Sequence, residues 1–359
     1  MSILFSNRIK DLKPYVPGRP IDDVKKEYNL EHVIKMASNE NPLGCSPKAK
    51  EAIEKTLDKF NYYPDGNATA LKEAIAEKFG LKIEQIQPSS GSDEMIDSIS
   101  KTFLDKGDEV ILADITFPRY MSTTKLMGAT PVIVPLKDFT YDLEGMKKAV
   151  TDKTRLIWLC NPNNPTGTMF NEDILVSFLE SIPQNIIVVY DEAYNEFVTR
   201  DDYPYNSYKF LDKYPNLIIL RTFSKIYGLA ALRVGYAFAS KEILENIDKV
   251  RGPFNVNTLA QVAALAALED DEFLEKSYIL NKEGKEFIYN NFKDLGLWYL
   301  PSETNHIFFD TGRDANKVFI ELQKRGVIIR PMFDTYARVS IGTMEENRIF
   351  IEKLKEILT

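Results

Sequence analysis

The chain has 359 residues, of which 44% are hydrophobic and 27% charged, a composition typical of a globular protein with two domains. Its formal net charge of −8 at pH 7 disfavours nucleic acid and anionic lipid as partners, because both are negatively charged. With two cysteines and two histidines it offers neither a disulfide framework nor a cluster of metal ligands, so we expect no metal, no membrane association and a cytoplasmic location.

The N-terminal 40 residues are rich in proline, glycine and charge, unlike a signal peptide, and we interpret them as an arm that leans on the C-terminal part. Helical periodicity follows at 47–60 and 68–79. The segment SSGSDEMIDSISKTFL then predicts a turn that opens a helix, because Ser92, Asp93 and Glu94 suit a helix N-terminus.

Short apolar runs alternate with helical stretches as far as residue 268. The runs EVILAD, TPVIVPL, RLIWLC, NIIVVYDEA, NLIILRTFS and VGYAFAS are typical of buried strands, with helices predicted at 143–150 and 172–181. This alternation predicts an α/β fold with a mostly parallel sheet covered on both faces.

The pattern changes after predicted helices at 257–268 and from about residue 271. The segments WYLPSETNHIFFD, VIIRPM and YARVSIG, with helices at 315–325 and at the C-terminus, predict a smaller α+β unit. We therefore divide the chain into an arm with part of the small domain at 1–40, a large domain at 41–275 and a small C-terminal domain at 276–359.

Three predicted strands end in unusual polar segments. RLIWLC is followed by NPNNPTG, NIIVVY by DEAYNEF, and NLIILR by TFSKIYGLAALR. In open α/β sheets, ligands bind beyond the carboxyl ends of the strands. The sequence therefore predicts a functional site at this edge of the sheet.

Lys225 and Asp191 are the two ionisable residues at these strand ends whose chemistry matters most. Lys225 is either a solvated surface charge or a partly desolvated amine, whose lowered pKa makes it a nucleophile. Asp191 is either a helix cap or ion-pair partner, or the carboxylate that keeps a ligand's pyridine nitrogen protonated. Neither residue alone decides between these interpretations.

A phosphate site is the second prediction from the strand ends. The N–H groups at a helix N-terminus, hydroxyl groups and a guanidinium all favour phosphate. Each is equally consistent with a helix cap or a surface ion pair, and Asn164 lies in a loop where turn geometry alone would explain it. The candidate phosphate ligands are Gly91, Ser92, Asp93, Thr222, Ser224 and Arg233.

Ten segments occur in order along nearly the whole chain: LKPYVPGRPI, MASNENPLG, YYPDG, SGSDEMI, NPNNPTG, DEAYNEF, TFSKIYGLAALRVGY, RGPFNVN, GVIIRP and RVSIGT. In order and spacing they resemble the fold-type I aminotransferases, which depend on pyridoxal 5′-phosphate (PLP). The YVPG and SNENPLG segments resemble the branch of that family that acts on L-histidinol phosphate.

The resemblance implies a large PLP-binding domain with a seven-stranded, mostly parallel sheet, a smaller α+β domain, and a homodimer with shared active sites. Lys225 would be the Schiff-base lysine, with Asp191 at the pyridine nitrogen and Tyr194 at the ring hydroxyl. The further cofactor ligands that it implies are Ser92, Asp93, Phe117, Asn164, Thr222, Ser224, Arg233 and, reaching the phosphate of the other subunit, Tyr63.

The resemblance also implies a substrate site. Arg338 would bind the anionic end of the substrate, with Arg330, Tyr15 and Asn305 near it. From the residues alone, Arg338 could form an ion pair on a strand face, Arg330 could face solvent and Tyr15 could belong to a packed arm. For Arg338, the resemblance favours the substrate site.

Transamination is the function that the resemblance implies: L-histidinol phosphate and 2-oxoglutarate would give imidazole-acetol phosphate and L-glutamate in L-histidine biosynthesis. An aromatic amino acid aminotransferase and a PLP decarboxylase of the threonine-phosphate type remain open, because pocket geometry decides which bond at Cα breaks. A PLP-binding transcription regulator would need a basic DNA-binding domain, for which this acidic chain leaves no segment.

Overall fold

The computed structural model describes residues 3–10, 12–14, 16–59 and 61–358. These residues form twelve α-helices: α1 Ile21–Tyr28, α2 Pro47–Glu54, α3 Thr69–Phe79, α4 Gly91–Phe103, α5 Pro118–Met127, α6 Leu143–Lys148, α7 Glu172–Ser181, α8 Lys241–Ile247, α9 Thr258–Ala267, α10 Asp271–Asp294, α11 Ala315–Lys324 and α12 Met344–Leu358. Short 3₁₀ helices lie at Asn7–Ile9, Leu57–Lys59, Ile83–Gln85, Asn195–Phe197, Ser207–Asp212 and Ala230–Leu232.

The same residues form twelve strands: β1 Ile34–Lys35, β2 Ile86–Ser89, β3 Glu109–Ala113, β4 Thr130–Val134, β5 Thr154–Cys160, β6 Ile187–Asp191, β7 Leu217–Thr222, β8 Gly235–Ala239, β9 His306–Asp310, β10 Val327–Ile328, β11 Arg330–Phe333 and β12 Tyr336–Ser340. No helix among the described residues is long and apolar enough to cross a membrane.

The large sheet has seven strands in the order β2-β8-β7-β6-β5-β3-β4. The strands from β7 to β4 pair in parallel, whereas β8 is antiparallel to both of its neighbours. The central strands β6 and β7 are buried at almost every position, because apolar residues pack on both faces of a parallel sheet. The predicted α/β fold with a mostly parallel seven-stranded sheet is confirmed.

Several predicted elements differ from the structure: the helix predicted at 143–150 ends at Lys148, and VIIRPM forms two strands, β10 and β11, in different sheets. The segment 130–136, predicted to be a buried strand, forms the edge strand β4, where Thr130 and Ile133 are exposed because β4 is the last strand in the sheet order. The helix predicted at 47–60 ends at Glu54, and a 3₁₀ helix follows. The Thr56 hydroxyl donates to the Ala52 carbonyl over 2.8 Å near this end, a local bond typical of helix termini.

A smaller antiparallel sheet, β11-β12-β9, packs with α10, α11 and α12. The N-terminal strand β1 joins this region by pairing in parallel with β10. The largest apolar cluster surrounds the seven-stranded sheet, and a second cluster lies around the three-stranded sheet.

Register brings the predicted strand ends together. Cys160 at the end of β5 is paired with Asp191 at the end of β6, and Asp191 with Leu220 near the end of β7. The small sheet lies across this edge, since Arg338 of β12 contacts Asn164 in the loop after β5. The carboxyl ends of β5, β6 and β7 and the small sheet therefore enclose a space that has polar side chains on both sides.

Candidate active site

A cavity of about 200 Å³ lies between the carboxyl ends of β5, β6 and β7 and the small sheet. Twelve of the residues predicted to form the site line it: Ser92, Asp93, Phe117, Asn164, Asp191, Tyr194, Thr222, Ser224, Lys225, Arg233, Arg330 and Arg338. The other lining residues are Gly18, Ala37, Ser38, Asn39, Cys160 and Ala193.

Lys225 lies three residues beyond the end of β7, and its amine faces the cavity. Its Nζ donates to the Ser38 carbonyl over 3.3 Å and lies 5.7 Å from the centroid of the Tyr194 ring. Desolvation by the surrounding protein, followed by the positive charge of Arg338, lowers the pKa of Lys225 to about 8. A fraction of the amine is therefore neutral near neutral pH and able to act as a nucleophile or base.

Asp191 ends β6 and is buried. Its Oδ2 accepts a hydrogen bond of 2.6 Å from the Tyr120 hydroxyl, and its Oδ1 accepts one of 3.2 Å from the Ala193 N–H. Burial raises the pKa of Asp191 to about 6, although both hydrogen bonds oppose the rise. A carboxylate in this environment is stabilised by any cation that enters the cavity.

One end of the cavity collects groups that bind anions. Gly91 begins α4 with φ of +77°, a left-handed conformation that favours glycine. The Arg233 guanidinium lies close to it, since a Cβ built at Gly91 would be 2.7 Å from Nη2 of Arg233. Arg233 Nη1 donates to Ser224 Oγ over 3.5 Å, and the Ser224 N–H donates to Thr222 Oγ1 over 3.0 Å. The first turn of α4, two hydroxyls and a guanidinium together suit a phosphate.

The opposite side of the cavity carries two guanidiniums. Arg338 Nη1 donates to Asn164 Oδ1 over 2.6 Å and its Nη2 to the Ala37 carbonyl over 2.7 Å. Arg330 is directly opposite Arg338 in the β11–β12 pair, and both line the cavity. Residues opposite each other in an antiparallel pair project to one face of the sheet, so the two charges can act together on one anion.

Asn39 connects the two sides. Its Nδ2 donates to the Tyr194 hydroxyl over 2.8 Å, and its Oδ1 accepts from Ser340 Oγ of β12 over 2.9 Å. Tyr194 is buried, and burial raises its pKa. The hydroxyl of Tyr194 is therefore a neutral group, and the hydrogen bond from Asn39 fixes its position.

Residues 31–354 match the family described as aminotransferase class I and II. The chain belongs to the class I and II aminotransferases. The match covers both sheets and therefore both sides of the cavity.

Related aminotransferases are similar over almost the whole chain. The histidinol-phosphate aminotransferase of Caldicellulosiruptor saccharolyticus is 49% identical over 99% of this chain and 100% of its own length. That of Moorella thermoacetica is 48% identical over 98% of this chain and 92% of its own length. The crystal structure of histidinol-phosphate aminotransferase from Sinorhizobium meliloti in complex with PLP matches with a TM-score of 0.91 at 29% identity, covering 99% of this chain and 97% of that one.

Two described residues whose side chains are predicted for the site of this aminotransferase do not line the cavity. Tyr63 is 82% exposed on another surface, where its ring stacks on Phe254 with centroids 4.7 Å apart. Asn305 is buried behind the cavity wall, and its Nδ2 donates to the Asn39 carbonyl over 3.0 Å. Tyr15 lies outside the described residues.

Sequence reasoning assigned no role to Tyr120 or Asn39. Tyr120 follows Phe117 by three residues at the start of α5, and their ring centroids are 5.6 Å apart. Residues three apart share one face of a helix, so this spacing was a signal that Tyr120 lies near the site. Asn39 had no such signal, because its contacts join segments about 150 and 300 residues away.

Proposed function

We propose that this chain is a PLP-dependent aminotransferase that converts L-histidinol phosphate and 2-oxoglutarate to imidazole-acetol phosphate and L-glutamate in L-histidine biosynthesis. Full-length relatives with 49% and 48% identity are histidinol-phosphate aminotransferases. The observation that carries the proposal is one cavity lined by both an amine with a pKa lowered to about 8 and a carboxylate with a pKa raised to about 6, those of Lys225 and Asp191.

The cavity residues fit PLP at both ends of the cofactor. The hydrogen-bond partners of Asp191 among the described residues are both neutral, so a protonated pyridine nitrogen supplies a cation that this buried carboxylate lacks. The phosphate fits the anion-binding end. Its proposed ligands are the N–H groups of Ser92 and Asp93 at the start of α4 and the side chains of Thr222, Ser224 and Arg233, and those of the ring are Phe117, Asn164, Asp191 and Tyr194.

When bound, PLP supplies a covalent link to amines and a ring that stores the electrons released at the substrate Cα. Lys225 Nζ would accept the Cα proton of the substrate and later give it back, and its lowered pKa favours the neutral form that a base needs. Asp191, fixed by the Tyr120 hydroxyl, would keep the ring nitrogen protonated. Tyr194 and Asn164 would hold the ring hydroxyl.

Arg338 and Arg330 bind the anionic end of each substrate in this proposal, with Tyr15 and Asn305 near them. A guanidinium donates paired hydrogen bonds to a carboxylate or a phosphate with similar geometry. The same two side chains therefore serve L-glutamate and L-histidinol phosphate, two substrates that otherwise differ in shape.

We further propose a homodimer in which Tyr63 reaches the cofactor phosphate of the other subunit. Tyr62, Tyr63 and Phe254 are all exposed and lie along one surface groove with Pro64 and Pro253. Exposed aromatic clusters of this kind are typical of protein interfaces. Sedimentation velocity is expected to show twice the chain mass, and a monomer at assay concentration would contradict the dimer.

The division into residues 1–40, 41–275 and 276–359 and a cytoplasmic location are also proposals. The separate apolar clusters around the two sheets support the division. Cys45 and Cys160 are both free thiols, as is usual in a reducing compartment.

The decisive experiment measures amino transfer by the purified, PLP-loaded chain. We expect L-glutamate to form from L-histidinol phosphate and 2-oxoglutarate, with ping-pong kinetics because the amino group is carried by the enzyme between two half-reactions. Turnover of phenylalanine or tyrosine alone would move the chain to the aromatic aminotransferases. Release of carbon dioxide without any need for an oxo acid would replace transamination by decarboxylation.

A further inference from the structure

The first turn of α4, where we propose that the cofactor phosphate binds, is rich in acids. Asp93 and Glu94 lie in this turn, and Asp97 follows one turn later. Glu94 is engaged by neutral donors, since its Oε2 accepts from the Ser90 N–H over 2.5 Å and from Asn255 Nδ2 over 2.8 Å. A carboxylate here competes with phosphate for the positive helix end and repels its negative charges.

Asp93 lies between two guanidiniums. Its Oδ2 is 3.7 Å from Arg233 Nη2, and its Oδ1 is 3.8 Å from Arg119 Nε. Arg119 Nη2 also contacts Asp97 Oδ1 at 2.6 Å. Arg119 thus pairs with two acids of α4, Asp93 and Asp97. Arg233 pairs with Asp93 alone and would also bind the proposed phosphate.

Arg119 belongs to α5 and is not among the residues that line the cavity. Its side chain and that of Asp97 are both about one-third exposed, so their pair is partly shielded from solvent. The charge of Asp93 nevertheless reaches the cavity: burial is the main cause of the raised pKa of Asp191, and the Asp93 carboxylate adds to it. A group that neutralises Asp93 therefore changes the field in which the cofactor binds.

We propose that Arg119 is a positioning residue for the cofactor phosphate. By pairing with Asp93 and Asp97, it offsets their charge and leaves Arg233 and the α4 N-terminus available to the phosphate. This inference rests on the proposed function, because it takes the phosphate of PLP as the anion bound at this helix end.

The test titrates cofactor-free protein with PLP and follows the absorbance of the bound cofactor. Replacing Arg119 by Ala is expected to raise the Kd of PLP by about five- to tenfold at low salt, because the two acids then repel the phosphate. The Kd of pyridoxal, which has no phosphate, should stay within about twofold. An unchanged Kd of PLP, or an equal loss for pyridoxal, would overturn the inference.

Arg155 offers a matched control at the opposite end of the sheet. It lies at the start of β5, and its Nε is 3.6 Å from Asp108 Oδ1. Arg155→Ala removes a similar partly exposed ion pair, and we expect it to leave the Kd of PLP within about twofold. A loss as large as that of Arg119→Ala would show a general effect of arginine removal and overturn the inference.

A second substitution separates an effect of charge on PLP binding from an effect on folding. In a chain that already carries Asp97→Asn, adding Arg119→Ala is expected to cost much less PLP affinity, since one of the repelling charges is gone. Asp97 pairs with Arg119 but does not line the cavity, so Asp97→Asn alone should bind PLP at least as tightly as the unsubstituted chain. A full loss in the double variant, or weaker binding by Asp97→Asn alone, would contradict the role assigned to Arg119.

The same titration distinguishes the two proposals. If the unsubstituted chain binds no PLP, the proposed function fails and this inference fails with it. If it binds PLP and transaminates while the Arg119→Ala variant binds PLP equally well, only this inference is overturned. Arg119→Lys, which keeps the charge, is expected to retain most of the affinity.

Discussion

The two sides of the cavity carry charge in different ways. On the side of the seven-stranded sheet, the surrounding protein shifts the pKa of Asp191 to about 6 and that of Lys225 to about 8. On the side of the small sheet, Arg330 and Arg338 are half-buried. Hydrogen bonds to the Asn164 side-chain amide and the Ala37 carbonyl fix the position of Arg338.

In the proposed function, this difference separates the chemical step from substrate recognition. Shifting the pKa of a buried group by about 2 costs roughly 3 kcal/mol of folding free energy. A protein keeps such a destabilising group where the reaction requires it. A half-buried guanidinium costs less desolvation and can exchange one anion for another. In the proposed function, the side that would bind the cofactor is therefore fixed, and the side that would bind the substrates is versatile.

The largest expected effect is the loss of turnover on replacing Lys225, and a second buried lysine serves as its control. Lys285 of α10 also has a pKa lowered to about 8 by burial, but its Nζ donates to the Ser302 carbonyl over 2.7 Å outside the cavity. We expect Lys225→Ala to lower turnover by at least about 1000-fold and Lys285→Ala by less than about tenfold. Cofactor absorbance and amino transfer check both, and normal turnover by Lys225→Ala would contradict the assignment.

The next effect concerns the stability of the cofactor-free chain. The pKa of Asp191 is raised, so the stability that this group contributes is present below its unfolded value near 4 and lost as pH rises through about 6. Asp191→Asn should therefore raise the free energy of unfolding by roughly 2–3 kcal/mol at pH 8, with little gain at pH 4. Denaturant titrations across this range check the prediction, and a gain independent of pH would refute it.

Arg338 tests the recognition side. Arg338→Ala should raise the KM of both substrates by about 10- to 50-fold while leaving the cofactor absorbance unchanged, because the lost contact is to the substrate anion. Arg338→Lys keeps the charge but loses the fork-shaped guanidinium, so its KM values should lie between those of the unsubstituted chain and those of Arg338→Ala. A fall in turnover with unchanged KM would place Arg338 in the chemical step instead.

The smallest effect is expected at Tyr120. Tyr120→Phe removes the hydroxyl that donates to Asp191 but keeps the ring, which stacks on Trp158 with centroids 4.6 Å apart. We expect turnover to fall by about three- to tenfold, the size of one buried hydrogen bond. Tyr141→Phe is the matched control, since that buried tyrosine bonds to Thr116 and does not line the cavity. Equal losses in the two variants would remove the special role of Tyr120.

Much of the fold could be predicted because it is encoded locally. The helix predicted at 172–181 is α7, with the same bounds, and six predicted strands lie in the large sheet. The sequence did not reveal that 130–134 is an edge strand or that β8 is antiparallel, because an apolar run is the same in either position or direction.

The sequence by itself determined which groups stand at the strand ends, Lys225 and Asp191 above all, since a strand and the residue that follows it are neighbours in the chain. Only the tertiary structure decided that Tyr120 reaches Asp191 from 71 residues away and that Arg338 reaches Asn164 from 174 residues away. Such contacts depend on how whole helices and sheets pack, and no local pattern of side chains specifies that packing.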